Sequence, residues 1–116
     1  MAKGKGNTKI IEVSFPSTLT STSDMSFRDN LLTEVDVNNI TNIRLGSFYD
    51  NAYLDTLNLR SVQTIGSDAF TLTGSLSSGY DLVFPSTLTS IGSSAFWAAK
   101  INSVTFDAAN QVTNLQ

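Results

Sequence analysis

The stretch FPSTLTSIGSSAF occupies residues 84–96, and its first seven letters, FPSTLTS, also occur at residues 15–21. An identical run of seven residues is improbable by chance in a chain of 116 residues, even one rich in Ser and Thr. An internal repeat predicts that the chain is built from similar structural units stacked in a row. The two copies are therefore the starting point for finding the remaining units.

A repeated apolar spacing extends the pattern over the chain. Four triplets have apolar residues at their first, fourth and sixth positions: Ile10-Val13-Phe15, Leu32-Val35-Val37, Leu54-Leu57-Leu59 and Ile101-Val104-Phe106. A fifth unit keeps Leu82 and Phe84 and has Gly79 in the first position. The units end at positions 15, 37, 59, 84 and 106, so the steps between them are 22, 22, 25 and 22. After the units that end at positions 15, 37, 59 and 84, a Phe recurs 11 or 12 residues later, at positions 27, 48, 70 and 96.

These landmarks divide the chain into a flexible lead-in over residues 1–9 and one repeat domain over residues 10–116. We predict about five repeats with a period of about 22 residues, a length typical of repeat proteins. They cover residues 10–31, 32–53, 54–78, 79–100 and an incomplete 101–116. Between the third and fourth repeats, the segment 71–79 adds about three residues and holds two Gly. We expect it to form a bulging, mobile loop.

Each repeat predicts a short strand followed by turns. Alternation of the last two apolar residues of a unit places both side chains on one face of a strand. Pro16 and Pro85 follow directly, and because proline lacks an N–H they end the strand. Gly66 and Gly92 predict a turn at positive φ. The Ser-x-Ala-Phe segment after them predicts one turn of 3₁₀ or α helix, with Phe in the core.

Stacking follows from burial. A single coil cannot bury its own apolar side, whereas stacked neighbours can. We therefore predict a β-rich α/β solenoid, with a parallel β-sheet on one side and short 3₁₀ or α turns on the opposite side.

Charge and composition exclude several function classes. The net charge is −3, but Lys3, Lys5 and Lys9 lie in a segment without acids, so the remaining residues carry four basic and ten acidic side chains, or −6. An acidic body argues against nucleic acid and against an anionic membrane surface. The chain has no Cys and no His, which removes thiolate sites, most zinc sites and the commonest general base.

Missing motifs and missing apolar runs exclude further function classes. The carboxylates have no motif context, so we expect no catalytic residue, no cofactor and no metal. No apolar run approaches the roughly 18 residues that span a bilayer, so we expect no membrane insertion. The first residues lack an apolar core and are not a signal peptide.

The residues quoted above, together with KINSVTF at 100–106, resemble the BspA-type leucine-rich repeat over residues 10–116. The Cys that usually follows the Ala-Phe pair is absent, and Asn30, Asn51 and Ala99 stand near that place. The resemblance implies a right-handed leucine-rich-repeat coil. It also implies an extracellular or cell-surface location and adhesion to host or matrix proteins.

The sheet face that points away from the core is the predicted partner-binding surface. Its candidate residues are Glu12, Ser14, Glu34, Asp36, Thr56, Asn58, Asp81 and Thr105. Stacked carboxylates at Glu12, Glu34 and Asp36 repel one another, so a basic partner or a cation would relieve this acidic end. The alternative is a solvated face that is polar for solubility.

A second candidate surface lies on the convex side. Arg28, Tyr49 and Trp97 share the repeat position directly after the landmark Phe, and these residue types are common at interaction hot spots. The alternative is that they are half-buried residues that cover the convex side.

Two functions remain open from the sequence. The first is a non-catalytic protein-binding module of a cell-surface adhesin, whose partner is a host or matrix protein. The second is a structural spacer or self-assembling repeat segment with no specific ligand, associating through open solenoid ends.

Overall fold

The computed structural model describes residues 9–107 and the backbone of residues 114 and 115. The strands are β1 (Glu34–Asp36), β2 (Asn42–Ile43), β3 (Thr56–Asn58), β4 (Thr64–Ile65), β5 (Tyr80–Phe84), β6 (Ser90–Ile91), β7 (Ile101–Phe106) and β8 (Asn114–Leu115). Every strand pairing is parallel. No α or 3₁₀ helix occurs in the described residues, so the fold is a β-solenoid rather than an α/β one.

The strands form two walls. The strand wall consists of β1 paired with β3 and of β5 paired with β7. The back wall is the continuous sheet β2–β4–β6–β8, which Ser21 extends by a parallel bridge to Asn42. The three steps of the back wall give a hydrogen-bonded solenoid of about three turns. The predicted stack of parallel coils is confirmed, whereas the count of about five repeats stays a prediction.

A stack of Phe rings fills the interior between the walls. The ring centroids of Phe27, Phe48, Phe70 and Phe96 are separated by successive distances of 5.6, 5.3 and 5.2 Å, and neighbouring planes differ by 11° or less. Phe48 and Phe70 are completely buried. The repeated Phe is therefore the core residue that joins one coil to the next.

The ends of the strand wall depart from the predicted core. Val104 and Phe106 of β7 were expected to face inward and be buried, but their exposed fractions are 53% and 52%. Of the described strands, only β5 pairs with β7, so β7 is an edge of the strand wall in the part of the chain that the structure describes.

Residues 10–15 were expected to form the first strand and do not. Phe15 is nevertheless buried, with its ring edge-on to Phe27 at 5.5 Å and to Phe48 at 6.3 Å. The backbone N–H of Ile10 donates to Asn30 Oδ1 at 2.9 Å. Ring contacts and a side-chain amide thus hold this coil where a strand ladder is missing.

Two kinds of turn follow the strand positions. In the coils with proline, Leu19 and Leu88 donate their N–H to the carbonyls of Pro16 and Pro85, at 3.0 and 3.1 Å. In the other two coils the turn starts one residue earlier, and Asn38 and Arg60 adopt φ of 54° and 49°. This difference explains why the landmark Phe comes one position later after the strand in the coils with proline than in the others.

The prediction of positive φ at Gly66 and Gly92 is wrong, since neither glycine has it. A Cβ on Gly66 would lie 2.8 Å from the carbonyl carbon of Arg44, and one on Gly92 would lie 2.5 Å from Ser67 N. Glycine is needed here because the backbone packs directly on the preceding coil.

The turns around the landmark Phe are not helical, which corrects the predicted 3₁₀ or α turns. Positive φ recurs two residues before and two residues after each Phe: at Met25, Gly46, Asp68 and Ser94, and at Asp29, Asp50, Leu72 and Ala98. L-residues in this region do not continue a right-handed helix. Instead, the N–H groups of Phe48 and Phe70 donate to Ala69 O and Ala95 O of the next coil, at 2.9 and 2.7 Å.

The segment 71–79 is anchored on both sides rather than left as a free loop. Towards the preceding coil, Gly74 N donates to Asn51 O at 3.1 Å and Ser77 Oγ to Leu54 O at 2.8 Å. Towards the following coil, Thr73 O accepts from Lys100 N at 3.0 Å. The insertion is therefore a fixed part of the stack.

Candidate functional site

The strand wall gathers the predicted partner-binding residues on its outer face. In the sheet register, Glu34 lies opposite Thr56, and Asp36 lies opposite Asn58. Further along the wall, Asp81 lies opposite Ser103, and Val83 opposite Thr105. Glu12 and Ser14 line a groove together with Glu34 and Asp36. All eight predicted residues are exposed except Asp36, which is half-buried.

The strand wall is split at two places, and each split opens a groove. Residues 10–15 form no ladder with β1, and the groove between them has a volume of about 490 Å³. β3 and β5 are also not hydrogen-bonded to each other, and this groove has a volume of about 380 Å³. The second split lies directly after the insertion at 71–79. The face is therefore grooved, whereas the back wall is a continuous sheet.

Asp36 has a structural partner that the sequence did not reveal. Its two carboxylate oxygens accept hydrogen bonds from Arg60 Nε and Nη2 at 2.9 and 2.5 Å. The Arg60 guanidinium, helped by the N–H of Asn38, lowers the pKa of the Asp36 carboxyl. The repulsion expected among Glu12, Glu34 and Asp36 is thus relieved at Asp36 from within the chain.

Asp36 and Asn58 also close the turns that lack proline. Asp36 Oδ1 accepts the N–H of Asn38 at 3.1 Å, and Asn58 Oδ1 accepts that of Arg60 at 3.2 Å. In the coils that contain FPSTLTS, the equivalent positions are Pro16 and Pro85, which have no N–H to bind. An Asp or Asn two residues before a non-proline turn position was the sequence signal for this role.

Glu12 and Glu34 are the carboxylates left for a partner. Both are exposed, and no Lys or Arg of residues 9–107 forms a salt bridge with either. Ile11 and Val13 contribute apolar surface to the same groove. This part of the wall can therefore receive a side chain that carries positive charge on an aliphatic stem.

The three predicted convex-side residues do not form one cluster. The guanidinium of Arg28 lies 5.1 Å from the ring centroid of Tyr49, which is a cation–π contact. The next residue in this row is Thr71, which is buried and bonded to Asp68 and to Ser94 O. Trp97 lies beyond Thr71 and is 63% exposed. The convex side thus has one Arg-Tyr pair and a separate exposed Trp97.

A ladder of buried amides occupies the place where a Cys was expected. Asn51 Nδ2 donates to Phe27 O and Phe48 O, both at 2.9 Å, and Asn51 Oδ1 accepts Leu32 N at 3.2 Å. Asn30 is also buried; its Nδ2 donates to Phe27 O at 3.1 Å, and its Oδ1 accepts the N–H of Ile10 at 2.9 Å. Each Asn side chain thus donates to carbonyl groups of the turn around the landmark Phe. It also accepts the N–H of the first residue of an apolar triplet, Ile10 or Leu32.

The repeat pattern and the two walls agree with a comparison to known families. A family model described as a BspA type leucine rich repeat region (6 copies) matches residues 5–96. The chain belongs to the BspA-type leucine-rich repeat family. No curated protein and no solved structure matches it.

Family membership indicates a general role for this BspA-type chain. Repeats of this kind suggest a protein-interaction module, and the family is generally associated with bacterial surfaces. Within the described residues, no helix has the length and apolarity needed to cross a bilayer. Over the same residues, no group of three or more acidic side chains is arranged to hold a metal ion.

A further hollow of the BspA-type chain lies outside the predicted site, along β2, β4 and β6 of the back wall. It has a volume of about 770 Å³ and runs along the backbone of Gly66 and Gly92, with the Asp24–Arg44 ion pair at one end. Its other polar lining consists of Ser and Thr hydroxyls. The recurrent Ile-Gly pair was the sequence signal for this trough.

Two perturbed groups of the BspA-type chain have structural explanations. Partial burial and a hydrogen bond shared with Asp29 raise the pKa of the Asp50 carboxyl. Burial raises the pKa of Tyr80 to about 12, and the Tyr80 hydroxyl lies 2.8 Å from Thr73 Oγ1. Neither group lines the grooves of the strand wall or the hollow along the back wall, so burial and local bonding account for both shifts.

Proposed function

We propose that this chain is a non-catalytic protein-binding module of a cell-surface adhesin and that it binds a host or matrix protein through the outer face of the strand wall. The family supports a protein-interaction role on a surface. The strand wall supports the location, because its outward side chains are aligned from coil to coil and lie beside two grooves.

The observation that carries this proposal is the pair Glu12 and Glu34 in the larger groove. Both carboxylates remain without a cation among the described residues, while all three arginines of those residues are paired with an aspartate. Unpaired carboxylates next to exposed apolar surface favour a protein partner with basic side chains. The same arrangement gives no reason to expect an acidic ligand.

The test compares two double variants with equal change in net charge. Glu12→Gln/Glu34→Gln removes two negative charges from the strand wall. Ser17→Lys/Ser86→Lys adds two positive charges at the equivalent turn positions of the two FPSTLTS copies, which lie outside that wall. Binding to a panel of purified host and matrix proteins is measured by surface plasmon resonance. We expect only the Glu variant to weaken binding, by about tenfold. Equal effects of the two variants would exclude the strand wall as the site.

A second candidate is a self-assembling spacer, and the exposure of Val104 and Phe106 favours it. These side chains belong to an edge strand, and exposed edge strands promote association between chains. Light scattering over a range of concentrations tests it, with Phe106→Lys as the variant. Self-assembly predicts a mass that rises with concentration and falls in the variant. A strict monomer at high concentration would rule out this candidate.

A further inference from the structure

An apolar ridge borders the outer face of the strand wall. Leu31, Tyr53 and Leu76 are exposed to 38%, 44% and 66%. They lie in three successive coils, each on the segment that leads toward the next strand of the wall. None of the three belongs to the repeated apolar triplets, so the core pattern does not account for them. Aligned exposed apolar side chains of this kind mark an interaction surface.

Hydrogen bonds join the segments that carry these three side chains. The bond from Asp55 N to Thr33 O at 2.8 Å holds the segment that follows Tyr53 beside the segment that follows Leu31. Leu76 N donates to Ala52 O at 2.8 Å. Ser77 Oγ donates to Leu54 O at 2.8 Å, so Leu76 lies next to Tyr53. The ridge therefore runs from coil to coil along the side of the wall where β1, β3 and β5 begin.

The insertion at 71–79 holds the end of the ridge rigidly. Besides the bonds to Ala52 and Leu54, Lys100 Nζ donates to Ser77 O at 3.0 Å and Asn102 Nδ2 to Ser78 O at 3.1 Å. Coils on both sides thus fix the segment that carries Leu76. A partner that binds Leu76 does not have to order a loop, which favours affinity.

The charges beside the ridge define the chemistry of its partner. Glu34 follows Leu31 by three residues, so its carboxylate lies within about 10 Å of the ridge. Asp55 and Asp81 add two more exposed carboxylates to this wall, and neither forms a salt bridge within residues 9–107. Apolar and acidic surface are therefore available to one bound segment.

We propose that the ridge docks a basic amphipathic segment of a partner protein. Its apolar side chains pack on Leu31, Tyr53 and Leu76, and its Lys or Arg side chains face Glu12 and Glu34. This inference rests on the proposed function and names the partner class for that surface. A second copy of the same wall is a poor occupant, because it would bring its own carboxylates against these.

The experiment uses three short synthetic peptides as probes, measured by fluorescence anisotropy. One alternates Lys and Leu, one replaces each Leu with Ser, and one replaces each Lys with Glu. The test variants are Leu76→Ser and Tyr53→Ser. The control is Trp97→Ser, which removes an equally exposed apolar side chain that does not lie on the ridge. Thermal unfolding of each variant checks that the fold is kept.

We expect the Lys/Leu peptide to bind best and Leu76→Ser to weaken it by about tenfold, with Trp97→Ser within about twofold of the parent. The inference is overturned if the Glu/Leu peptide binds as tightly, or if Leu76→Ser and Trp97→Ser have the same effect. Should the protein panel still depend on Glu12 and Glu34 while no peptide depends on Leu76, the proposed function stands and this inference fails. If binding of the protein panel does not depend on Glu12 and Glu34 and binding of the peptides does not depend on Leu76, both the proposed function and this inference are refuted.

Discussion

At the residue scale, Asn51 joins three backbone segments through a single amide. Its three hydrogen bonds reach Phe27, Phe48 and Leu32, and the side chain is completely buried. Buried polar groups are stable only when their bonds are made. Asn51 therefore supports the stack in a way that an apolar residue of similar size cannot.

Asn51→Ala is expected to lower the free energy of unfolding by about 2–4 kcal/mol, because it leaves the carbonyl of Phe48 and the N–H of Leu32 without these partners and leaves Phe27 O with the bond from Asn30. Asn39→Ala is the control, since it removes only one exposed bond, to Ser17 O at 2.9 Å. Urea unfolding measures both. Similar losses in the two variants would show that the buried amide is not the supporting group.

Asp50 gives a pH-dependent prediction. Its pKa is raised above the ordinary value of 3.8 by burial and by Asp29. A raised carboxyl pKa means that stability is lost as the pH rises from 3.8 through the folded pKa, so the parent protein is penalised at pH 7. Asp50→Asn, which also tolerates the φ of 60° found here, removes this penalty.

We expect Asp50→Asn to raise the Tm by roughly 1–4 °C at pH 7 and to leave it nearly unchanged at pH 3, where the parent carboxyl is also neutral. Calorimetry at both pH values measures this. An equal gain at the two values would assign the effect to backbone preference rather than charge.

At the scale of the element, glycine is needed where one coil touches the next. Gly92→Ala is expected to cost about 2–4 kcal/mol in urea unfolding, since the new Cβ would lie 2.5 Å from Ser67 N and the backbone cannot yield. Gly46→Ala is the comparison. Its φ of 60° strains Ala by about 1–2 kcal/mol, but the Cβ meets only the flexible end of Met25. A larger loss at Gly46 would contradict the close approach at Gly92.

The same coils show how much of each element could be predicted from the sequence. Alternation located the strands of the strand wall from Val35 onward, because the buried face of a strand is a local property of the sequence. The two-residue strands of the back wall were not predicted, since turns of 3₁₀ or α helix were expected on that side. The turn type could not be predicted that way, since Gly66 and Gly92 respond to the backbone of the preceding coil, which is distant in sequence. Thr22 shows the same dependence. It is buried at the position that Ile43, Ile65 and Ile91 occupy in the following coils. A polar residue is accepted there because Ser47 Oγ of the next coil lies 2.6 Å from Thr22 Oγ1.

The site was predictable in part for a related reason. Period-two spacing put Glu12, Glu34 and Thr56 on the outer face, where the structure places them. The pairing of Asp36 with Arg60 was not predictable from spacing, because it joins side chains of two different coils. The apolar ridge was missed because Leu76 reaches the wall only through the way the insertion is anchored.

At the scale of the whole molecule, the two walls differ in charge. The strand wall carries exposed carboxylates, whereas the outward side chains of β2, β4 and β6 are Asn42, Thr64 and Ser90. The association rate constant for a partner that binds the strand wall is therefore expected to fall as the salt concentration rises from about 50 to 500 mM, with a smaller change in the dissociation rate constant. Surface plasmon resonance at several salt concentrations measures this. A rate that does not change with salt would point to an uncharged surface instead.

The central claim is that the strand wall is the partner-binding surface. Hydrogen–deuterium exchange of the free and partner-bound protein tests it most directly, with a protein from the binding panel as the partner. The account predicts that binding slows exchange at the amides of residues 11–14, 34–36 and 53–58 and leaves residues 86–93 unchanged. Protection confined to residues 86–93, with the strand wall unaffected, would contradict it.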